Sequence, residues 1–121
     1  MANKKTLILG VTPDANRYAS LAAQRLRNSG YTIVNVGLTS GEVAGVPIEP
    51  AEAIHKDIDT ITLYIGPQNQ AVLYDYILRT KPRRIIFNPG AENPELEKIA
   101  GEHGIATESA CTLVLLATGQ Y

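Results

Sequence analysis

A single cysteine, Cys111, rules out an internal disulfide, and such sparing cysteine use fits the cytoplasm. Net charge is nearly absent too: 11 Lys and Arg against 12 Asp and Glu leave −1. Counterion release on nucleic acid and attraction to anionic lipid both draw on a positive excess that is missing here. No nucleic-acid or membrane partner is therefore expected. Long apolar runs are missing as well. The longest, Thr6–Val11 and Leu113–Ala117, fall far short of the roughly 20 residues that cross a bilayer. The N-terminus, Met1 to Gly10, starts charged but leads into a strand, with no small-residue cleavage site of a signal sequence. No His, Cys, Asp or Glu grouping has metal-ligand spacing, so no metal is expected. What remains is an ordinary globular composition, 45% hydrophobic and 19% charged, in 121 residues. That size predicts one domain spanning 1–121.

Apolar patterning then divides the chain. Leu7-Ile8-Leu9 is a short continuous run, as in a strand buried on both faces, and it ends at Gly10. Val11 to Asp14 turns into a helix that begins near Asn16-Arg17-Tyr18. Tyr18, Leu21, Ala22 and Leu26 recur at helical spacing, and Gly30 stops the helix. Tyr31 to Val36 reads as a second strand, 37–46 as a loop, and Ile48 to Lys56 as a short helix with Pro50 in its first turn. Thr60 to Ile65 is the third strand. A helix over 69–80 follows, with Val72, Tyr76 and Ile77 on one side. Arg84 to Phe87 is the fourth strand. Asn93-Pro94 is an N-cap followed by proline at the first helical position, and Glu95 and Glu97 complement the helix dipole up to His103. Ile105 to Thr107 is a fifth strand, and the apolar stretch 111–119 reads equally as strand or helix.

Strands alternating with helices predict a parallel sheet covered on both faces: a single Rossmann-like, doubly wound α/β domain of about five strands, in spatial order 3-2-1-4-5. In such sheets ligands lie beyond the carboxyl ends of the strands. Four of the five ends carry glycine: Gly10, Gly37, Gly66 and Gly90. Strand, glycine turn and helix start together form the element that holds phosphate, because glycine admits an anion and the first helical N–H groups point at it. Arg17 stands at that helix start, where the dipole does not favour a cation, and reads equally as a residue facing an anion or as one half of a surface salt bridge. The cluster Lys81, Arg83 and Arg84 precedes the fourth strand, at the opposite edge, and reads as a solvated turn.

The first turn is not a standard dinucleotide fingerprint. Gly10, Thr12 and Ala15 fill the G-x-G-x-x-G/A positions, with Thr12 in place of the second glycine. The second strand ends Asn35-Val36-Gly37, without the acid that holds a ribose hydroxyl. Both features count against NAD.

Gly10-Val11-Thr12 with Asn16-Arg17-Tyr18, the strand ending at Val36, Ile65-Gly66-Pro67, Asn88-Pro89-Gly90-Ala91-Glu92, and Glu108 to Leu115 with Cys111 together resemble the small stand-alone CoA-binding proteins. Their domain is similar to the CoA-binding domain of the succinyl-CoA synthetase alpha subunit. The resemblance spans nearly the whole chain and implies CoA or an acyl-CoA as ligand. It implies phosphates at Gly10, Val11, Thr12, Asn16, Arg17 and Tyr18. The segments at Val36 and Gly37, at Ile65, Gly66 and Pro67, and at Asn88, Pro89, Gly90 and Glu92 would flank the adenosine and pantetheine parts. Cys111 reads either as a small core hydrophobe or as a neighbour of the CoA thiol. The family often has Asn-Pro where this chain has Asn35-Val36.

No catalyst stands out. His55 and His103 fall in or beside helices. Glu92 and Glu108 are loop carboxylates, Glu92 suited to satisfying backbone N–H groups. Tyr18 and Tyr31 are expected to pack. The reading is a non-catalytic CoA-binding sensor, carrier or regulatory module. The alternatives are an NAD(P)-linked redox domain, a CoA-site subunit of a two-chain acyl-CoA ligase, or a structural module with a vestigial groove. The stretch Leu113–Leu116 is either a homodimer surface or buried under the sheet.

Overall fold

The strands are β1 (Thr6–Leu9), β2 (Ile33–Val36), β3 (Gly41–Val43), β4 (Val46–Glu49), β5 (Thr60–Leu63), β6 (Arg84–Phe87) and β7 (Ala106–Ser109). The helices are α1 (Tyr18–Asn28), α2 (Tyr74–Thr80), α3 (Pro94–Glu102) and α4 (Thr112–Ala117). This computed structural model describes residues 4–121; the first three residues of the charged start considered above lie outside the described residues. One sheet runs β3-β4-β2-β1-β5-β6-β7, parallel throughout except for the β3–β4 hairpin.

Every residue of β1, β2 and β5 is buried, because helices cover both faces. Alternation sorts their side chains. Leu7, Leu9, Val34, Val36, Ile61, Leu63, Ile85 and Phe87 join a core with Tyr76, Ile77, Leu96 and Ala100 of α2 and α3. Ile8, Ile33 and Ile86 join the opposite core with Ala19, Ala23 and Leu26 of α1, and Leu115 and Leu116 of α4 pack against it. The ambiguous last stretch is thus a helix, half-buried against the sheet, with Val114 exposed. Tyr121 closes the amino edge. Its ring meets Tyr31 edge-on at 5.1 Å and the Arg84 guanidinium at 4.7 Å. Arg84 also donates to Thr60 and Glu108, so it is no solvated turn residue.

Several expectations are corrected. The sheet has seven strands, not about five. The extra two are a hairpin over 41–49, where a loop and then a helix were expected. The expected third strand, β5, pairs with β1 rather than beyond β2, so the order 3-2-1-4-5 does not hold as numbered. The place beside β2 is taken by β4, held by Asn35. The Asn35 amide is fully buried and donates to the carbonyls of Val43 (3.0 Å) and Val46 (3.1 Å), on either side of a tight turn at Ala44 and Gly45. Counting β4 third and omitting β3, the order becomes 3-2-1-4-5-6, that of dinucleotide-binding sheets. On α1 the inward face is Ala19, Ala22, Ala23 and Leu26, whereas Tyr18 is 72% exposed. Val72 is likewise outside, since residues 67–73 form two 3-10 turns ahead of a shorter α2.

Candidate ligand groove

Close backbone packing shapes the carboxyl ends of the central strands. The N–H groups of Gly10 and Val11 both donate to the Val36 carbonyl, at 2.9 and 3.0 Å, and Tyr64 N–H donates to the Leu9 carbonyl at 2.9 Å. A Cβ on Gly37 would lie 2.0 Å from the Val11 carbonyl oxygen. Gly10, at φ +111°, would bring a Cβ within 2.9 Å of the Tyr64 carbonyl oxygen. These two glycines therefore let three strand ends touch.

From this floor the chain turns through Thr12 to α1. The buried Ser20 hydroxyl lies 3.1 Å from the Thr12 carbonyl oxygen and 2.8 Å from that of Asp14. The Asp14 carboxylate accepts from Asn16 N–H at 2.9 Å. Arg17 is the N-cap residue of α1, in extended backbone with no side-chain cap, and the first helical turn holds no acid. The first amides of the helix have no intrahelical partner. The Arg17 side chain is 70% exposed and 3.7 Å from Asp14, a weak surface pair.

Two clefts open over this floor and share Gly10, Thr12, Tyr64, Ile65 and Gly66. The narrow arm, about 350 Å³, runs between Arg17, Tyr18 and Ala19 on one wall and Pro89, Gly90 and Ala91 on the other. The wide arm, about 740 Å³, lies between the Val36–Thr39 and Pro50-Ala51 segments and the turns over 68–73. Leu38 and Val72 stand exposed on its two sides. Among the described residues lining either arm, Arg17 is the one that carries charge, and none is a carboxylate, histidine, lysine or cysteine.

Buried polar side chains hold the walls. Gln70, fully buried, donates to the carbonyls of Ile65 and Ala91, both at 2.8 Å, and so ties the loop after β5 to the loop after β6. Its own carbonyl accepts from the Asn93 amide nitrogen, and the Asn93 Oδ1 caps α3 by accepting from Glu95 and Leu96 N–H. Asn88 donates to Thr62 (2.7 Å) and Leu63 (3.0 Å) and accepts from Thr112 N–H (2.9 Å), pinning β6 to β5 and α4. Tyr64 lines both arms and also packs against the core behind them; its buried hydroxyl approaches Thr62 and Thr112 without forming a hydrogen bond of good geometry, and burial pushes its pKa up to about 12.

Of the sixteen site residues expected from sequence, Gly10, Val11, Thr12, Arg17, Tyr18, Val36, Gly37, Ile65, Gly66, Pro89 and Gly90 line the groove. Asn16, Pro67, Asn88, Glu92 and Cys111 are not among the lining residues. Asn88 is an internal pin. Glu92 accepts from Gly90 N–H at 2.8 Å, the role its position suggested. Cys111 is the half-buried N-cap residue of α4. His55 pairs with Glu49, and His103 donates to the Ile99 carbonyl at its helix end. Tyr31 packs on Tyr121 as expected; Tyr18 does not pack but stands on the groove rim. Sequence reading passed over Leu38, Val72 and Gln70. A lone leucine in a Gly-Ser-Thr stretch, and a glutamine on the same helical stripe as Leu73 and Ile77, were the available signals.

Residues 4–117 match the family described as the CoA binding domain. A crystal structure of an uncharacterized protein is 53% identical over 100% of both chains, with a TM-score of 0.97. A Thermus thermophilus protein is 22% identical, covers 98% of this chain and 91% of its own, and has a TM-score of 0.86. A hypothetical protein from Pyrococcus horikoshii is 23% identical over 93% and 80%, with a TM-score of 0.79. The last two speak to fold alone. No curated protein matches the chain. Among the described residues no helix is long and apolar enough to cross a membrane.

Proposed function

The chain belongs to the CoA binding domain family, and from that premise we propose that its groove binds CoA or an acyl-CoA and that the chain serves as a sensor, carrier or regulatory module without chemistry of its own. The observation that carries this reading is the junction of the two arms. There Arg17 and the open first turn of α1 face the Gly10–Thr12 turn, which is the arrangement that suits a diphosphate. Thr12 Oγ1 accepts from Asp14 N–H at 3.3 Å, which leaves its proton to donate toward the groove. The arms leading away in two directions leave room for a nucleoside and for an extended pantetheine. Bound CoA supplies a thiol that carries an acyl group as a thioester. The lining residues described above offer it no general base or nucleophile beyond hydroxyl groups, and this supports binding rather than turnover.

A second reading, a nicotinamide dinucleotide in the same groove, draws on the 3-2-1-4-5-6 strand order. Against it, β2 ends without a carboxylate, and the Asn35 amide is engaged in holding the hairpin. Isothermal titration with CoA, acetyl-CoA, NAD+ and NADH separates the two. Saturable heat from the CoA species alone is the expected result. Heat from the nicotinamide species alone refutes the CoA reading.

A further inference from the structure

We infer that the groove reads the diphosphate of its ligand and provides no cation for the 3′-phosphate of CoA, so that dephospho-CoA binds at least as tightly as CoA. This rests on the CoA reading above and sharpens its ligand class. CoA carries two separate anionic groups, the diphosphate and a phosphate monoester on the ribose. A monoester is close to dianionic at neutral pH, and proteins that select for one meet it with Arg or Lys. Among the described residues lining the two arms, Arg17 alone is cationic. Residues 1 to 3 add no Lys or Arg.

Arg17 can serve one of the two anionic groups. Its place at the N-cap of α1, on the same wall as the unpaired first-turn amides, assigns it to the diphosphate. The wide arm, the roomier of the two, is taken for the nucleoside and its ribose phosphate. Its lining is apolar or neutral, with Leu38 and Val72 outermost and Pro50, Ala51 and Leu73 further in. The charged residues that flank Pro50-Ala51 in the chain are both acids, Glu49, bonded to His55, and Glu52. A 3′-phosphate there either stays in water and adds nothing, or approaches a carboxylate and is repelled.

The test is isothermal titration of the natural chain and of Arg17→Ala with CoA, dephospho-CoA and NAD+ at one low salt concentration. The natural chain is expected to bind dephospho-CoA with a Kd equal to or below that for CoA, to within about twofold. Arg17→Ala is expected to weaken both by a common factor of about tenfold, the loss of one charge-assisted contact. CoA binding more than about twofold more tightly than dephospho-CoA overturns the inference and leaves the CoA reading standing. So does an Arg17→Ala variant that loses the preference for CoA while keeping its grip on dephospho-CoA, because Arg17 then reads the 3′-phosphate. Binding of neither pantetheine compound, or of NAD+ alone, overturns the CoA reading and this inference together.

Discussion

Replacing Gly37 by alanine adds one methyl group where the structure has no room for it. The φ of Gly37 lies outside the left-handed region, so the backbone itself would accept alanine. With free space the substitution would even gain stability through the unfolded chain. The obstacle is the Val11 carbonyl oxygen, 2.0 Å from the Cβ position, with the carbonyl carbon at 3.0 Å and the Ile48 methyl at 3.3 Å. The first two are backbone, so relief requires the turn after β1 to move by about 1 Å. That movement strains the paired bonds from Gly10 and Val11 to the Val36 carbonyl and the bond from Gly37 N–H to Glu49. Overpacking plus weakened hydrogen bonds amount to about 3 kcal/mol, or a fall of roughly 10–15 °C in Tm for a chain of this size. Thermal and urea unfolding measure it. Gly30→Ala is the control, with φ +90° but nothing within 4 Å of the added Cβ, and should cost about 1 kcal/mol. If Gly37→Ala costs no more than Gly30→Ala, the close approach of β1 and β2 ends is not a feature of the folded chain. CoA affinity should fall with stability in Gly37→Ala and stay unchanged in Gly30→Ala.

Gln70→Leu keeps the bulk but strips the partner from the Ile65 and Ala91 carbonyls and from one N–H of the Asn93 amide, whose bond to the Tyr74 hydroxyl remains, and is expected to cost about 3 kcal/mol in urea unfolding and to weaken CoA binding. Ser20→Ala removes the hydroxyl beside the Thr12 and Asp14 carbonyls; about 1 kcal/mol of stability should go, with a several-fold rise in the Kd for CoA by calorimetry. Tyr64→Phe removes a buried hydroxyl that forms no hydrogen bond of good geometry although Thr62 and Thr112 approach it, and should change stability at pH 7 by no more than about 1 kcal/mol. Folded Tyr64 and Tyr76 both hold their protons to about pH 12, burial being the main cause, against 10 in the unfolded chain. Their contribution is present below pH 10 and lost as pH rises through 12, so Tyr64→Phe should also flatten the alkaline loss of stability, by at most about 3 kcal/mol across that range.

What the sequence made legible was local. Asn93-Pro94 with Glu95 is read correctly as the start of α3, because cap, proline and dipole all act within one turn. The buried strands and their glycine ends are legible for the same reason, and the rule that ligands meet the carboxyl ends of a parallel sheet then placed most of the lining residues. The hairpin is different. Its turn carries Ala44-Gly45 rather than Asn-Gly, and Pro47 argues against a strand. What holds it is Asn35, on another strand. Likewise residues 69–73 have helical spacing, yet Gln70 is drawn inward by carbonyls of two separate loops and the segment breaks into 3-10 turns. The requirement for glycine at 37 comes from Val11, twenty-odd residues earlier. Each miss is a long-range partner acting on a segment whose own residues pointed elsewhere.

The groove separates what touches a ligand from what shapes the walls. Its lining is largely glycine backbone, proline, alanine and exposed side chains such as Arg17, Tyr18, Leu38 and Val72, which contribute little to stability. Its shape is set by Ser20, Gln70, Asn88 and Asn93, all buried and fully hydrogen-bonded behind the walls. The bonds of Gln70, Asn88 and Asn93 join separate segments, so a change at one of them moves two walls at once, whereas Ser20 holds the turn between β1 and α1 alone. Membership in the CoA binding domain family goes with the scaffold. On the proposed reading, preference among nucleotides then rests on the exposed residues along the wide arm, which can be exchanged without disturbing the buried bonds behind the walls.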